Sequence, residues 1–286
     1  MNMKISSHGL QAFTQAALTL NVTQAAKALG LTQSALSQRL SLLEEDLEVT
    51  LFIREPRGLK LTEAGERLLR FSSLNQQMEE ELLAEFKGSS QELAGTFRIA
   101  GYSSVLRSVI IPALAGFLRK NPKVHVDFQS FEMFELPEVL KTARADVVIM
   151  DYQWKKNGIA EIALGYEEFV VIESTKFEAP HEVYLDHGPL DNATEDFFAQ
   201  QSKAPKNLRR SFMGDVYGII DGVNQGLGRA VMSRHLIEDV KGIQIVSGYT
   251  KHKRPVTMHF FEQPFYSRLT QKIQSELKEK APGFLG

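Results

Sequence analysis

The sequence predicts a two-part chain: an N-terminal helix-turn-helix unit on a long amphipathic helix, then a larger α/β domain of two lobes. Three observations predict it. Leucines and alanines recur at helical spacing near the N-terminus, with polar caps and a glycine between the runs. An apolar stripe then continues from Glu63 to about Phe86. Beyond Gly95, short β-branched runs alternate with helical ones. A length of 286 residues allows two folding units, one of them divisible into subdomains. With 43% hydrophobic and 24% charged residues, the composition excludes a disordered or membrane-embedded chain.

Leu10, Phe13, Ala16, Ala17 and Leu20 form the face of a first helix, which Asn21 breaks. Thr23 is expected to cap a short second helix, Thr23 to Leu29, packed through Ala25, Ala26 and Leu29, with Gly30 in the left-handed position at its end. Thr32 caps a third helix, Gln33 to about Leu47, with Ala35, Leu36, Leu40, Leu43 and Leu47 inward. A short helix, a glycine turn and a helix opening on small polar side chains form a shape that fits the major groove. Gln33, Ser34, Ser37 and Gln38 fall on the exposed side of that helix, where amides and hydroxyls pair with base edges. A solvated face of a small bundle has the same pattern.

Charge does not choose between them. The net charge is −2, and residues 1–65 hold six basic against six acidic side chains, so bulk attraction to nucleic acid is excluded and only placement can supply it. The acids cluster late in the third helix, with Arg39, Arg54, Arg57 and Lys60 around it.

The run LTQSALSQRLSLLEEDLEVTLFIR, followed by LKLTEAGERLL, resembles the DNA-binding half of LysR-type transcriptional regulators. That resemblance implies a winged helix-turn-helix over residues 1–62 that binds double-stranded DNA. It makes Gln33–Leu47 the recognition helix, Leu51–Arg54 and Leu59–Leu61 the wing strands, and Thr62-Glu63-Ala64-Gly65 the start of the linker helix. Its candidate DNA contacts are Thr23, Thr32, Gln33, Ser34, Ser37, Gln38 and Arg39, with Arg54, Arg57 and Lys60 on phosphate or the minor groove. One departure stands out: the family usually has a glycine where this chain has Glu48 or Val49.

The segment from Glu63 carries Leu68, Phe71, Leu74, Met78 and Leu82 on one face. Such a stripe must be buried, either on its own chain or against an antiparallel helix of a second copy. The resemblance implies the second, in a homodimer or homotetramer. Gly88-Ser89-Ser90 reads as a hinge, so residues 63–90 form the linker and 91–286 the sensor domain.

Strands are expected at Phe97–Ile99, Val124–Phe128, Val147–Met150, Phe169–Ile172, Val183–Leu185, Ala230–Met232, Ile243–Val246 and Thr257–Phe261. The helices between them run from Val105 to Leu118, Leu136 to Ala143, Thr194 to Gln200 and Asp215 to Gln225, with a last one from Phe265 to Lys280. Two α/β lobes, about 91–160 with 263–286 and about 161–262, leave a cleft at the carboxyl ends of their strands. The arrangement resembles the periplasmic-binding-protein-like sensor of the same family, which implies a small-molecule effector. Tyr102, Ser103 and Ser104 follow the first strand and open a helix, so their hydroxyls and backbone N–H groups suit a ligand carboxylate or, more plainly, a helix cap. Phe131, Glu132 and Asp151 follow the next two strands, and Asp215 begins a helix across the cleft. The acids Glu132 and Asp151 hint at a cationic amino acid.

No metal, cofactor or catalysis is expected. The seven histidines lack helical ligand spacing, and there is no cysteine. Asp186-His187 stands beside a Gly188-Pro189 turn with no nucleophile elbow, and Gly226-x-Gly228 lacks a dinucleotide-site context. The N-terminus lacks a signal-peptide core and no run spans a membrane, which points to a cytoplasmic protein. The alternative function class is a small-molecule binding protein or enzyme with an incidental helical N-terminal domain.

Overall fold

The computed structural model describes residues 5–56, 58–86 and 93–285. The hinge expected at Gly88-Ser89-Ser90, and Arg57 of the wing, lie outside them.

Helix α1 (Ser7–Thr19) buries Phe13, Ala16 and Ala17 against α2 (Val22–Ala28) and α3 (Gln33–Leu47). Two details of this region depart from expectation. Leu20 leaves the packing face and ends α1 in the left-handed conformation, φ 49°. Thr23 does not cap α2; Asn21 does, its Oδ1 accepting from the N–H groups of Thr23 and Gln24 at 3.0 Å each. An Asx side chain reaches two donors at once from the extended residue before the helix. Gly30, at φ 65°, ends α2 as expected, and Thr32 caps α3 through Ala35 N–H.

The wing is a hairpin of β1 (Phe52–Glu55) and β2 (Gly58–Leu61), paired Phe52↔Leu61 to Glu55↔Gly58. Glu44, one of the acids late in α3, turns its carboxylate onto the backbone N–H groups of Leu51 and Phe52, at 2.6 and 3.2 Å. It is a strut between α3 and the wing. The missing glycine is also accounted for: Glu48 itself adopts φ 53° and caps α3. A side chain there costs about 1 kcal/mol that glycine avoids. Glu48→Gly is therefore expected to raise the stability of the N-terminal domain by about 0.5–1 kcal/mol, read from its urea midpoint; an unchanged or lower midpoint would show the strain is relieved elsewhere.

Linker helix α4 spans Glu63–Phe86. Its stripe divides. Leu68, expected at a dimer interface, is 8% exposed and packed in the N-terminal core, because the first turns of α4 still lie against α1. Leu74 is half-buried beside the sensor domain, and Arg70 stacks on Phe261 at 4.2 Å. Phe71, Met78 and Leu82 remain exposed, joined by Leu83 and Phe86.

In the sensor domain β3 (Gly95–Gly101) leads into α5 (Ser103–Val105), a π-helical segment Leu106–Ile110 and α6 (Ile111–Lys120). Pro112, lacking an N–H and crowding the preceding turn, accounts for the wider turn. β4 (Val124–Ser130), α7 (Leu136–Lys141) and β5 (Val147–Met150) complete a parallel set in the order β4-β3-β5. The chain then crosses lobes on β6 (Ile159–Ser174), continues through β7 (Val183–Asp186), α8 (Ala193–Ala199), β8 (Arg209–Phe212), α9 (Val216–Asn224), β9 (Ala230–Ser233) and β10 (Ile243–Ile245), and returns on β11 (His252–Phe261) before α10 (Arg268–Lys280).

β11 pairs antiparallel with β6 along its whole length, from Phe261↔Ile159 to His252↔Phe169, with a bulge between Val256 and Thr257, and the rest of β6 pairs with β9 and β10. Leu164, Val256, Met258 and Phe260 belong to the first lobe's core, while Val170 and Ile172 belong to the second's. The lobes therefore meet inside these two strands, a few residues from the boundaries expected at 160/161 and 262/263. Among the described residues no helix is long and apolar enough to cross a membrane.

Candidate DNA interface and effector cleft

Gln33, Ser34 and Gln38 are exposed at the N-terminal half of α3, with Ser37 and Arg39 half-buried beside them. Thr32 and Ser34 share a hydroxyl hydrogen bond of 3.1 Å at the helix start. Thr23 is exposed on the first turn of α2. Arg54 and Lys60 are exposed on the wing. In the hairpin register Arg54 opposes Leu59 and Lys60 opposes Ile53, so the two cations project from opposite faces and straddle the wing. The polar opening of α3 is held by apolar contacts behind it: Leu36, Leu40 and Leu43 are at most 7% exposed.

The second site lies where β3, β4 and β5 end. Each strand hands its next residues to an interlobe cavity of about 790 Å³, lined by Tyr102, Ser103, Ser104, Phe131, Glu132 and Asp151. All six are sequence candidates. Such placement follows from parallel strands, whose carboxyl ends open onto one crevice. The serines do not cap: Tyr102 is the N-cap residue of α5, without a side-chain bond to it. Asp215 is a correction. It stands outside the cavity lining and accepts from the N–H groups of Tyr217 and Gly218 at 2.7 and 2.9 Å, capping α9.

Among the lining residues that the sequence did not single out are Glu167, Asp196, Ser233 and Arg254. Glu167, 1% exposed, accepts from the Tyr102 hydroxyl at 3.0 Å and from Ser233 Oγ at 2.6 Å, and lies 3.1 Å from His235 Nε2. Burial, then the Glu167 and Asp151 carboxylates, raises the Tyr102 pKa well above the ordinary phenol value, so the hydroxyl stays a neutral donor. Tyr102 is from one lobe and Ser233 from the other, and Ser108 Oγ reaches His235 Nδ1 at 2.7 Å across the same seam. Glu167 gave no signal in the sequence because its paired neighbour Glu168 makes the segment look solvent-facing.

The two halves of the chain match known families separately. Residues 7–66 match the bacterial regulatory helix-turn-helix protein, lysR family, and residues 90–258 match the LysR substrate binding domain. The chain belongs to the LysR family. It is 26% identical over 295 residues to the transcriptional regulator YofA of Bacillus subtilis, covering 96% of this chain and 98% of that one. The match to the transcriptional activator IlvY of Haemophilus influenzae is 29% over 140 residues, about half the length of each protein (49% and 48%). In fold it is similar to ArgP from Mycobacterium tuberculosis, with TM-score 0.80, 18% identity and 98% of both chains covered. As a LysR-type regulator the protein binds DNA through its helix-turn-helix and a small molecule through its C-terminal domain, and its α/β domain has the expected two lobes.

Proposed function

We propose that this LysR-type regulator acts as a homodimer, or a pair of dimers, on a two-fold symmetric operator. Base choice is made by Gln33, Ser34, Ser37 and Gln38, while Arg39, Arg54 and Lys60 hold phosphate. The exposed polar N-terminal half of α3, braced by Glu44 against the wing, carries this reading. Thr23 and Thr32 stand at the two helix starts, where N–H groups favour phosphate. Of the stripe on α4, Phe71, Met78 and Leu82 pack against the antiparallel helix of a second copy, and Leu68, held in the N-terminal core, does not.

The effector sits in the interlobe cavity against Tyr102, Ser103, Ser104, Phe131, Glu132 and Asp151. It acts by favouring one lobe arrangement, since a ligand indifferent to the two would shift nothing.

The test is a binding panel of base-pair variants of the selected operator. Gln33→Ala and Gln38→Ala are expected to cost about 1–3 kcal/mol on the preferred site and to relax discrimination at one base pair each. Arg54→Ala is expected to weaken all sequences alike and to lower the salt slope by about one. Three variants that lose affinity uniformly would contradict this division of roles.

A further inference from the structure

Arg254 on β11 is held between the lobes. Its Nη1 lies 3.0 Å from Asp151 Oδ2, at the end of β5, and its Nη2 lies 2.7 Å from Asp196 Oδ2, on α8. Its guanidinium sits 5.0 Å from the ring centre of buried Phe169. Two carboxylates and an aromatic face make a seat for a cation, and the protein's own arginine fills it.

The cavity around this seat is acidic. Glu132, Asp151, Glu167, Asp191 and Asp196 line it, against a single guanidinium. Glu167 is occupied by Tyr102 and Ser233, and Asp191 by the backbone N–H groups of His187 and Ala193. That leaves Glu132, facing His187 at 3.6 Å, and the Asp151–Asp196 pair that shares Arg254.

Resting on the assignment of this cavity as the effector site, we propose that the effector carries an amine or guanidinium head, with no carboxylate beside it, that takes Arg254's place between Asp151 and Asp196 and so releases Arg254 and β11 from the interlobe clasp. The physical reason is charge exchange. Asp151 is largely buried, and burial already raises its pKa against the pull of Arg254. A cationic head replaces one cation by another and leaves Asp151 paired. An anionic effector would draw Arg254 away and leave that carboxylate buried without a counter-charge, a costly state. The cavity volume, about 790 Å³, suits a metabolite-sized ligand. The exchange also supplies the differential contact that regulation needs: the head is fully held only where Asp151 of one lobe and Asp196 of the other stand close enough to share it.

Isothermal titration of the full-length protein with putrescine, L-arginine, succinate and L-leucine tests this. Putrescine and L-arginine are expected to bind, and the other two not. Arg254→Met removes the internal competitor and should tighten the cationic probes roughly tenfold, while Asp196→Asn, at a helix position whose side chain is 56% exposed, should weaken them roughly tenfold. Binding of succinate or L-leucine that Arg254→Met abolishes would make Arg254 the ligand's anchor and overturn the proposal while keeping the cavity as the site. No heat from either cationic probe also overturns it. Cationic probes that bind a DNA-competent Ser104→Trp variant, its cavity blocked, as tightly as wild type would place the ligand elsewhere and defeat both readings.

Discussion

Gly65→Ala is expected to destabilise the N-terminal domain by about 3 kcal/mol and to abolish operator binding. A Cβ on Gly65 would lie 2.3 Å from the Leu51 carbonyl oxygen and 2.8 Å from Leu61 Cδ2. That oxygen cannot retreat freely, because it accepts from Thr62 N–H at 3.0 Å and Thr62 Oγ1 at 3.2 Å. Leu51 is in turn fixed by Glu44, whose carboxylate takes its N–H. One methyl group therefore pushes on the joint where recognition helix, wing and linker helix meet. The clash is with backbone, so a rotamer change cannot relieve it, and the domain must either open this joint or shift α4. The interlobe cavity proposed for the effector uses only residues from Tyr102 onward, so ligand binding should survive. Thermal unfolding monitored separately by DNA affinity and by effector titration distinguishes these; a Gly65→Ala protein with wild-type operator affinity would mean that tight docking of α4 is dispensable.

The same joint shows what the sequence made legible. The Thr-Glu-Ala-Gly start of the linker was readable because its residue types serve local backbone needs: a hydroxyl cap at Thr62, accepting Gly65 N–H at 3.0 Å, and a glycine where strand and helix touch. Helices α1 and α3 were readable because one face of each is apolar at helical spacing. The ends of β3, β4 and β5 were readable for the same local reason, and they delivered six of the seven cleft candidates. The seventh, Asp215, is an N-cap, and an acid before a helix looks alike in both roles until the partners are seen.

Long-range pairings were not legible. The part of β6 from Ile159 to Phe169 carries Glu161, Gly165, Glu167 and Glu168, which break the alternation of a half-buried strand; yet it is a strand because β11 runs beside it and because Glu167 finds donors from both lobes. Arg254 is the partner of Glu167 in that register, and nothing near position 254 foretells Asp151 or Asp196. Polar residues that line a cleft are satisfied by distant segments, so their local sequence resembles a loop. β8, written Arg-Arg-Ser-Phe, is the extreme case: its pairing is reinforced by charge.

That charge supports the last expectation. Arg210→Met should destabilise the second lobe by about 3–5 kcal/mol, the cost of leaving a buried partner uncompensated. Asp186, at the end of β7, is 1% exposed. It accepts from Thr194 Oγ1 at 2.5 Å and pairs with Arg210 Nε. Burial raises its pKa even so, with Thr194 and Arg210 pulling the other way. Arg210 also donates to the carbonyl oxygens of Gly188, at 3.3 Å, and of Asp191, and pairs with Glu195 at 3.1 Å. The segment it grips, from His187 to Asn192, forms one wall of the interlobe cavity. Loss of the guanidinium thus acts twice, on a buried carboxylate and on one wall of the interlobe cavity. Hydrogen exchange should rise at 187–193 while operator binding by the N-terminal domain is kept. If unpaired charge is the cause, Asp186→Asn combined with Arg210→Met should recover part of the lost stability, because neither partner then carries charge. A double variant no more stable than Arg210→Met alone would instead assign the loss to the carbonyl contacts at Gly188 and Asp191, making Arg210 a loop clamp first and a counter-ion second.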